Sequence, residues 1–235
     1  MANLPQPPST HEPGAARRWP ARLGVVGLVT AAALSYTAAF FLPWWRFKLY
    51  APQYPDGLTL VISLTGMGGD VKEIDTLNHY IGMAHLADAA PVERRLAGYG
   101  VALLAATVLA LALLAGRRLN ALLLLPGLAF PAVFLADSVY WLHLFGHHMD
   151  PKAPIHLPPF TPEMFGNGHI GQFMTFAQPA AGFWLALGAL GLLALAAVGR
   201  RSVCAGCARR AGCGLVCSTT LVGPGAGLPD PRAPS

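Results

Sequence analysis

The sequence predicts an all-α membrane protein with four transmembrane helices and two extracytoplasmic loops, the first with a short strand and a short helix. Of its 235 residues, 54% are apolar and only 11% are charged, against about one quarter charged in an average soluble domain. The apolar residues form four blocks whose sole charged residue is Asp137, at 23–45, 96–116, 119–142 and 179–199. Such blocks exclude a soluble globular chain and a disordered one.

Each block has the length of a membrane-spanning helix. About twenty apolar residues cross the hydrocarbon layer as a helix, and a helix satisfies its own backbone hydrogen bonds where no water is present. We therefore expect one four-helix membrane domain over residues 23–199. A disordered N-terminal tail, 1–22, precedes it, and a disordered cysteine-containing tail, 200–235, follows it.

The positions of arginine predict the orientation of these helices. Cytoplasmic loops carry an excess of Lys and Arg, and nine arginines fall on one side of the four blocks: Arg17, Arg18, Arg22, Arg117, Arg118, Arg200, Arg201, Arg209 and Arg210. Both termini are thus predicted to be cytoplasmic, and residues 46–95 and 143–178 to be exported. Because the net charge of +5 lies largely in pairs beside apolar blocks, the expected partner is the lipid bilayer and not nucleic acid.

The two exported segments differ in their local patterns. Residues 58–65 alternate apolar and polar side chains, which is typical of a half-buried strand. Asp70 and Glu73 then have the spacing of a capping box, and apolar residues at helical spacing predict a short helix that ends at Gly82. In the second segment five prolines favour an extended loop draped over the bundle.

Methionine and histidine are concentrated in the exported segments. These segments hold seven of the eight histidines and five of the six methionines, and the sixth methionine is Met1. Histidine is excluded from lipid in any case, but methionine is apolar and would suit the spans. Thioether sulfur selects Cu(I), and imidazole accepts copper in either oxidation state. The distribution predicts copper as the cofactor.

The densest cluster of these donors follows the third block: His143, His147, His148 and Met149. If the helix continues past the membrane boundary, His143 and His147 lie one turn apart on one face. The alternative is that these histidines contact lipid headgroups or loop carbonyls. His79 and Met83 form a second candidate metal-binding pair, with core packing as its alternative.

Asp137 is a functional candidate because an ionisable group inside a span is costly. Its carboxylate would form a second-shell hydrogen bond to a metal-binding imidazole. The alternative is an ion pair with Arg46 or Lys48 at the same membrane boundary.

A separate thiolate site is conceivable in the C-terminal tail. Cys204, Cys207, Cys213 and Cys217 have thiolates that suit zinc or Cu(I), but only the first pair has ordinary ligand spacing. A disordered tail with reduced thiols is the alternative.

Three strings carry a resemblance to a known family: residues 49–58, LYAPQYPDGL; 77–83, LNHYIGM; and 146–155, GHHMDPKAPI. They resemble small four-span bacterial inner-membrane proteins encoded beside NosL-type copper chaperones and nitrous oxide reductase maturation genes. The likeness covers roughly residues 23–199. It implies a location in the bacterial inner membrane, with a copper chaperone or a periplasmic copper enzyme as partner.

These observations predict an accessory protein that handles copper at the periplasmic face and assists maturation of a copper enzyme such as nitrous oxide reductase. Independent catalysis is not expected, because the sequence has no nucleophile elbow, zinc-protease motif or phosphate loop. The alternative is a structural or assembly subunit of a membrane complex whose histidines are incidental.

Overall fold

A computed structural model describes residues 18–114 and 124–207. The helices are α1 (Arg18–Phe40), α2 (Val71–Ile81), α3 (Pro91–Leu114), α4 (Leu124–His147) and α5 (Ala181–Cys207). The strands are β1 (Trp45–Ala51), β2 (Tyr54–Ser63), β3 (Gly66–Gly69), β4 (Gly166–Ile170) and β5 (Phe173–Pro179).

Three helices within the described residues are long and apolar enough to cross a membrane. The apolar stretches are Leu23–Phe40 in α1, Leu125–His147 in α4 and Ala181–Gly199 in α5. The predicted second span corresponds to α3, and residues 115–123, where that span ends and the next begins, lie outside the description. These helices are compatible with a membrane protein, while the count of four spans stays a prediction.

The five strands form one antiparallel sheet in the order β3-β2-β1-β5-β4. Its central pairing joins β1 to β5, with Arg46 opposite Gln178 and Leu49 opposite Thr175. β1 belongs to the first predicted exported segment and β5 to the second. Because paired strands cannot be separated by a bilayer, the strands of both segments lie on the same side of any membrane that the helices cross.

The prediction of an all-α fold is therefore wrong. In β1, successive side chains of residues 45–51 point alternately into and away from the core. Trp45 was predicted to lie in the first span, and residues 46–51 in a loop. The prolines at 151–162 do exclude regular structure there, yet the chain beyond them forms the β4–β5 hairpin. The extended loop predicted for that whole segment is corrected accordingly.

Side chains on the inner face of the sheet pack onto the helices. Leu58, Leu60 and Phe47 are buried there, in a core shared with α1, α3 and α5. Trp44 and Trp45 are fully buried, and Trp44 Nε1 donates to Ala39 O at 2.8 Å. These two indoles are therefore core residues.

Residues 46–95 contain the predicted strand and helix, but the predicted capping box is wrong. Asp70 makes no side-chain hydrogen bond to the start of α2. Its Oδ2 instead accepts a hydrogen bond from Thr59 N at 2.7 Å, which ties α2 to the edge of β2. The helix does end where predicted, because Gly82 adopts the left-handed conformation with φ 77°.

Candidate metal centre

Three histidines lie at the exposed end of α4, each with its Nδ1 atom already engaged. His147 Nδ1 donates to His143 O at 2.9 Å, and His148 Nδ1 donates to Leu144 O at 3.1 Å. His143 Nδ1 shares a hydrogen bond of 3.0 Å with Thr161 Oγ1. A carbonyl can only accept, so His147 and His148 carry their proton on Nδ1 and keep the lone pair on Nε2.

His143 and His147 lie one turn apart, since α4 continues to His147. Their rings are stacked, with centroids 3.8 Å apart and planes 28° apart. The in-plane lone pairs of stacked rings run side by side and do not converge. One ring must therefore turn before both can ligate one ion.

The two segments predicted to be exported meet beside Met149. Asp150 N donates to Gly82 O at 2.8 Å, and Ile155 N donates to Tyr80 O at 3.0 Å. The half-buried Met149 thus directly precedes the point where the loop after α4 joins the end of α2. Backbone contacts bring the two candidate regions together although they are far apart in sequence.

His79 and Met83 do not share a helical face. Met83 lies beyond the end of α2, where its N–H donates to Asn78 O at 2.9 Å. Its side chain packs against a small apolar cluster of Ala51, Ile81 and Phe173, whereas His79 is exposed and its ring contacts Tyr80 edge-on. Core packing, the alternative reading of Met83, fits this geometry better than a metal-binding pair.

Among the described residues, the hydrogen bonds of His143, His147 and His148 do not involve Asp137. The Nδ1 bonds of the three histidines go to Thr161 and to two carbonyls. Asp137 is half-buried and lines a cavity beneath the sheet. Its proposed role as the hydrogen-bond partner of a metal-binding imidazole has no contact of this kind to support it.

The cysteine tail lies largely outside the described residues. Cys204 and Cys207 are in the last turns of α5, where only the backbone is described, and Cys213 and Cys217 follow that helix. The separate thiolate site therefore stays a prediction.

No three histidine, cysteine, aspartate or glutamate side chains within 18–114 and 124–207 are grouped so as to hold a metal ion. A copper site at the end of α4 would therefore combine imidazole with the thioether of Met149, or be completed by a partner molecule. Such a site is open and suits exchange better than permanent retention.

Two features of the structure were not predicted from the sequence: the contact of Thr161 with His143, and the pairing of His169 with Met174. Thr161 orients His143, but nothing in its sequence neighbourhood marks it. His169 and Met174 are direct cross-strand partners of β4 and β5 and both are exposed. The sequence FMTFAQP of β5 does not alternate apolar and polar residues, so no local pattern marked this pair.

No protein-family profile matches the chain, and no curated protein matches it. The resemblance to the four-span family thus rests on the three strings alone.

Proposed function

We propose that this chain is a non-catalytic accessory protein of the bacterial inner membrane that holds Cu(I) transiently at the exported end of α4 and passes it to a copper enzyme. The observation that carries the proposal is the orientation of His147 and His148 by backbone carbonyls. Metal-binding imidazoles commonly donate their second ring N–H in this way, which fixes the ring and its tautomer.

The donor types at this position suit a soft ion. His147 and His148 are exposed and Met149 is half-buried, so imidazole nitrogen and thioether sulfur occur within three consecutive residues. Sulfur ligands favour Cu(I) over zinc, calcium or magnesium. Because so few donors are contributed, release to a partner with a fuller ligand set is favourable.

The placement of this end relative to the membrane follows from charge and from the sheet. The arginine distribution puts both termini in the cytoplasm, and the end of α4 then emerges on the periplasmic side. The sheet contains strands of both exported segments, which supports one continuous periplasmic unit. Nitrous oxide reductase is the recipient that the sequence resemblance suggests.

The test is a competition titration of the purified full-length protein with Cu(I) and a chromogenic chelator. His147→Gln with His148→Gln retains an amide donor for the carbonyls but removes the imidazole lone pairs. We expect at least about tenfold weaker Cu(I) binding, since loss of even a group that only orients a metal ligand commonly costs about 10- to 100-fold in metal affinity. His156→Gln is the matched control, because His156 is also exposed and bonded to a backbone carbonyl. Equal affinity in all three proteins would refute the proposal.

A second candidate is the structural or assembly subunit, and the same hydrogen bonds favour it. The rings of His147 and His148 donate to His143 O and Leu144 O in the last turns of α4, and His148 N also donates to Leu144 O, so these histidines reinforce the end of the helix. The outer face of the sheet also bears a depression of about 410 Å³ lined by Arg46, Tyr50 and Gln178. Stoichiometric co-purification of a partner that is lost on Arg46→Glu, with no copper binding, would favour this function.

A further inference from the structure

A cavity of about 560 Å³ lies between the inner face of the sheet and helices α2, α3 and α4. Its wall is mostly apolar, with Leu60, Leu77, Phe134 and Phe145 among the contributors. This volume is in the range of small-molecule sites, which are typically concave and apolar with a few placed polar groups. The cavity is separate from the exposed histidines at the end of α4.

Two deeply buried polar groups line this cavity without partners. Asn78 and Thr175 are each 7% exposed, and Asn78 Nδ2 and Thr175 Oγ1 find no hydrogen bond within the part of the chain that the structure describes. A buried polar atom left unpaired costs about 1–3 kcal/mol. Asn78 comes from α2 and Thr175 from β5, so the helix side and the sheet side of the cavity each contribute one unpaired group.

The charges around the cavity restrict what it accepts. Asp137 and Glu93 both line it, together with Arg94 and Lys48. Arg94 already donates to Ala87 O and Ala90 O, and the Lys48 ammonium lies over the Tyr50 ring, 5.0 Å from its centroid. A carboxylate or phosphate ligand would meet two carboxyl groups. A cation would leave the Asn78 amide donor unpaired, because that group requires an acceptor.

The cavity reaches the outer surface of the helices. Leu96 of α3 is 55% exposed and Val133 of α4 is 63% exposed, yet both belong to its lining. Since α4 is one of the helices apolar enough to cross a membrane, this opening faces the region where lipid would lie. A lipid-soluble molecule can therefore enter without passing through water.

We propose that this cavity binds an uncharged lipophilic molecule whose carbonyl oxygens accept hydrogen bonds from Asn78 Nδ2 and Thr175 Oγ1. The acyl ester of a neutral lipid and the carbonyl of a quinone share this chemistry. The apolar body of either molecule fills the space lined by Leu60, Leu77 and Phe134. The binding is independent of copper at the end of α4.

The experiment measures binding of two probes, a short-chain benzoquinone and a short-chain diacylglycerol, to the full-length protein in nanodiscs. Asn78→Leu and Thr175→Val each replace an unpaired polar group by an apolar one of similar size, so folding should be maintained. Each should weaken binding of the preferred probe about tenfold, the upper range for one hydrogen bond. Thr76→Val is the matched control, because the Thr76 hydroxyl is exposed and bonds within α2.

A second variant tests the space itself. Gly100 lines the cavity, and a Cβ at this position has no atom within 4 Å, so Gly100→Leu should occlude the opening and abolish binding. Gly188→Leu adds the same side chain at an equally open helical position outside the cavity lining. Tighter binding of the benzoquinone or of the diacylglycerol shows whether a quinone or a neutral lipid supplies the carbonyl oxygen. If neither probe binds, or if binding is unchanged in Asn78→Leu, Thr175→Val and Gly100→Leu, the proposal is overturned.

Discussion

Asp150 N donates a hydrogen bond to Gly82 O across 2.8 Å, and this contact joins the loop after α4 to the end of α2. Gly82 has φ 77°, a conformation that L side chains rarely adopt. A Cβ added at Gly82 would lie 2.8 Å from Asp150 N and 2.7 Å from Asp150 O. The close approach of the loop after α4 to the end of α2 therefore requires glycine at this position.

Gly82→Ala should destabilise the protein by about 2 kcal/mol or more, since the left-handed conformation costs about 1–2 kcal/mol and the methyl group collides with the Asp150 backbone. The measurement is thermal unfolding of the full chain in detergent. Gly188→Ala is the control, because its Cβ meets no atom within 4 Å and alanine favours helix. An unchanged melting temperature for Gly82→Ala would contradict the contact.

A disulfide tests the pairing of β1 with β5. Arg46→Cys with Gln178→Cys, in a background where the four native cysteines are serine, places thiols at directly opposite positions. Facing Cα atoms in antiparallel strands are about 4.5–5.5 Å apart, within the range of a disulfide. We expect a cross-link that shifts mobility on a non-reducing gel. Arg46→Cys with Asn167→Cys should form none, because β4 lies beyond β5 in the sheet.

Alanine variants of Asp70 and Glu73 distinguish the predicted capping box from the hydrogen bond that Asp70 makes to Thr59 N. Asp70→Ala removes the acceptor of Thr59 N and should cost about 1–3 kcal/mol of unfolding free energy. Glu73→Ala should cost less than about 0.5 kcal/mol, as is usual at an exposed position. Chemical denaturation of both variants is the measurement. A larger loss for Glu73→Ala than for Asp70→Ala would restore the capping box.

Because the Trp44 indole is buried, replacing it should lower the free energy of unfolding. Trp44→Phe loses the hydrogen bond to Ala39 O and leaves a void, so unfolding free energy should fall by about 2 kcal/mol. Trp184→Phe is the control, since Trp184 is 60% exposed. Equal stability of the two variants would show that the Trp44 indole contributes no more to folding than an exposed one.

Long apolar blocks made the large helices predictable, because helical period and membrane length act within one stretch of chain. The sheet was missed because its central pairing, β1 with β5, joins residues more than one hundred positions apart. β4 has the sequence GNGHI, and its glycines carry no strand signal. Residues 45–49 of β1 also alternate apolar and polar side chains, but Trp45 was assigned to the preceding span, so β2 was the strand recognised from its own pattern.

The candidate donors were selected by residue type, and their geometry needed the fold. The one-turn spacing of His143 and His147 follows from helical period, but their stacking and the Thr161 contact depend on the loop after α4. His79 and Met83 are not on one helical face, because Gly82 ends α2 between them. Asn78 and Thr175 had no sequence signal, since an unpaired amide is visible only when its neighbours are placed.

In the proposed copper site, His147, His148 and Met149 hold Cu(I). X-ray absorption at the copper edge of the Cu(I)-loaded full-length protein tests it most directly, because nitrogen and sulfur neighbours scatter differently. We predict mixed nitrogen and sulfur coordination, with the sulfur contribution lost in Met149→Leu and retained in Met174→Leu. A spectrum that is identical in the wild type, in Met149→Leu and in the His147→Gln, His148→Gln variant would contradict the claim.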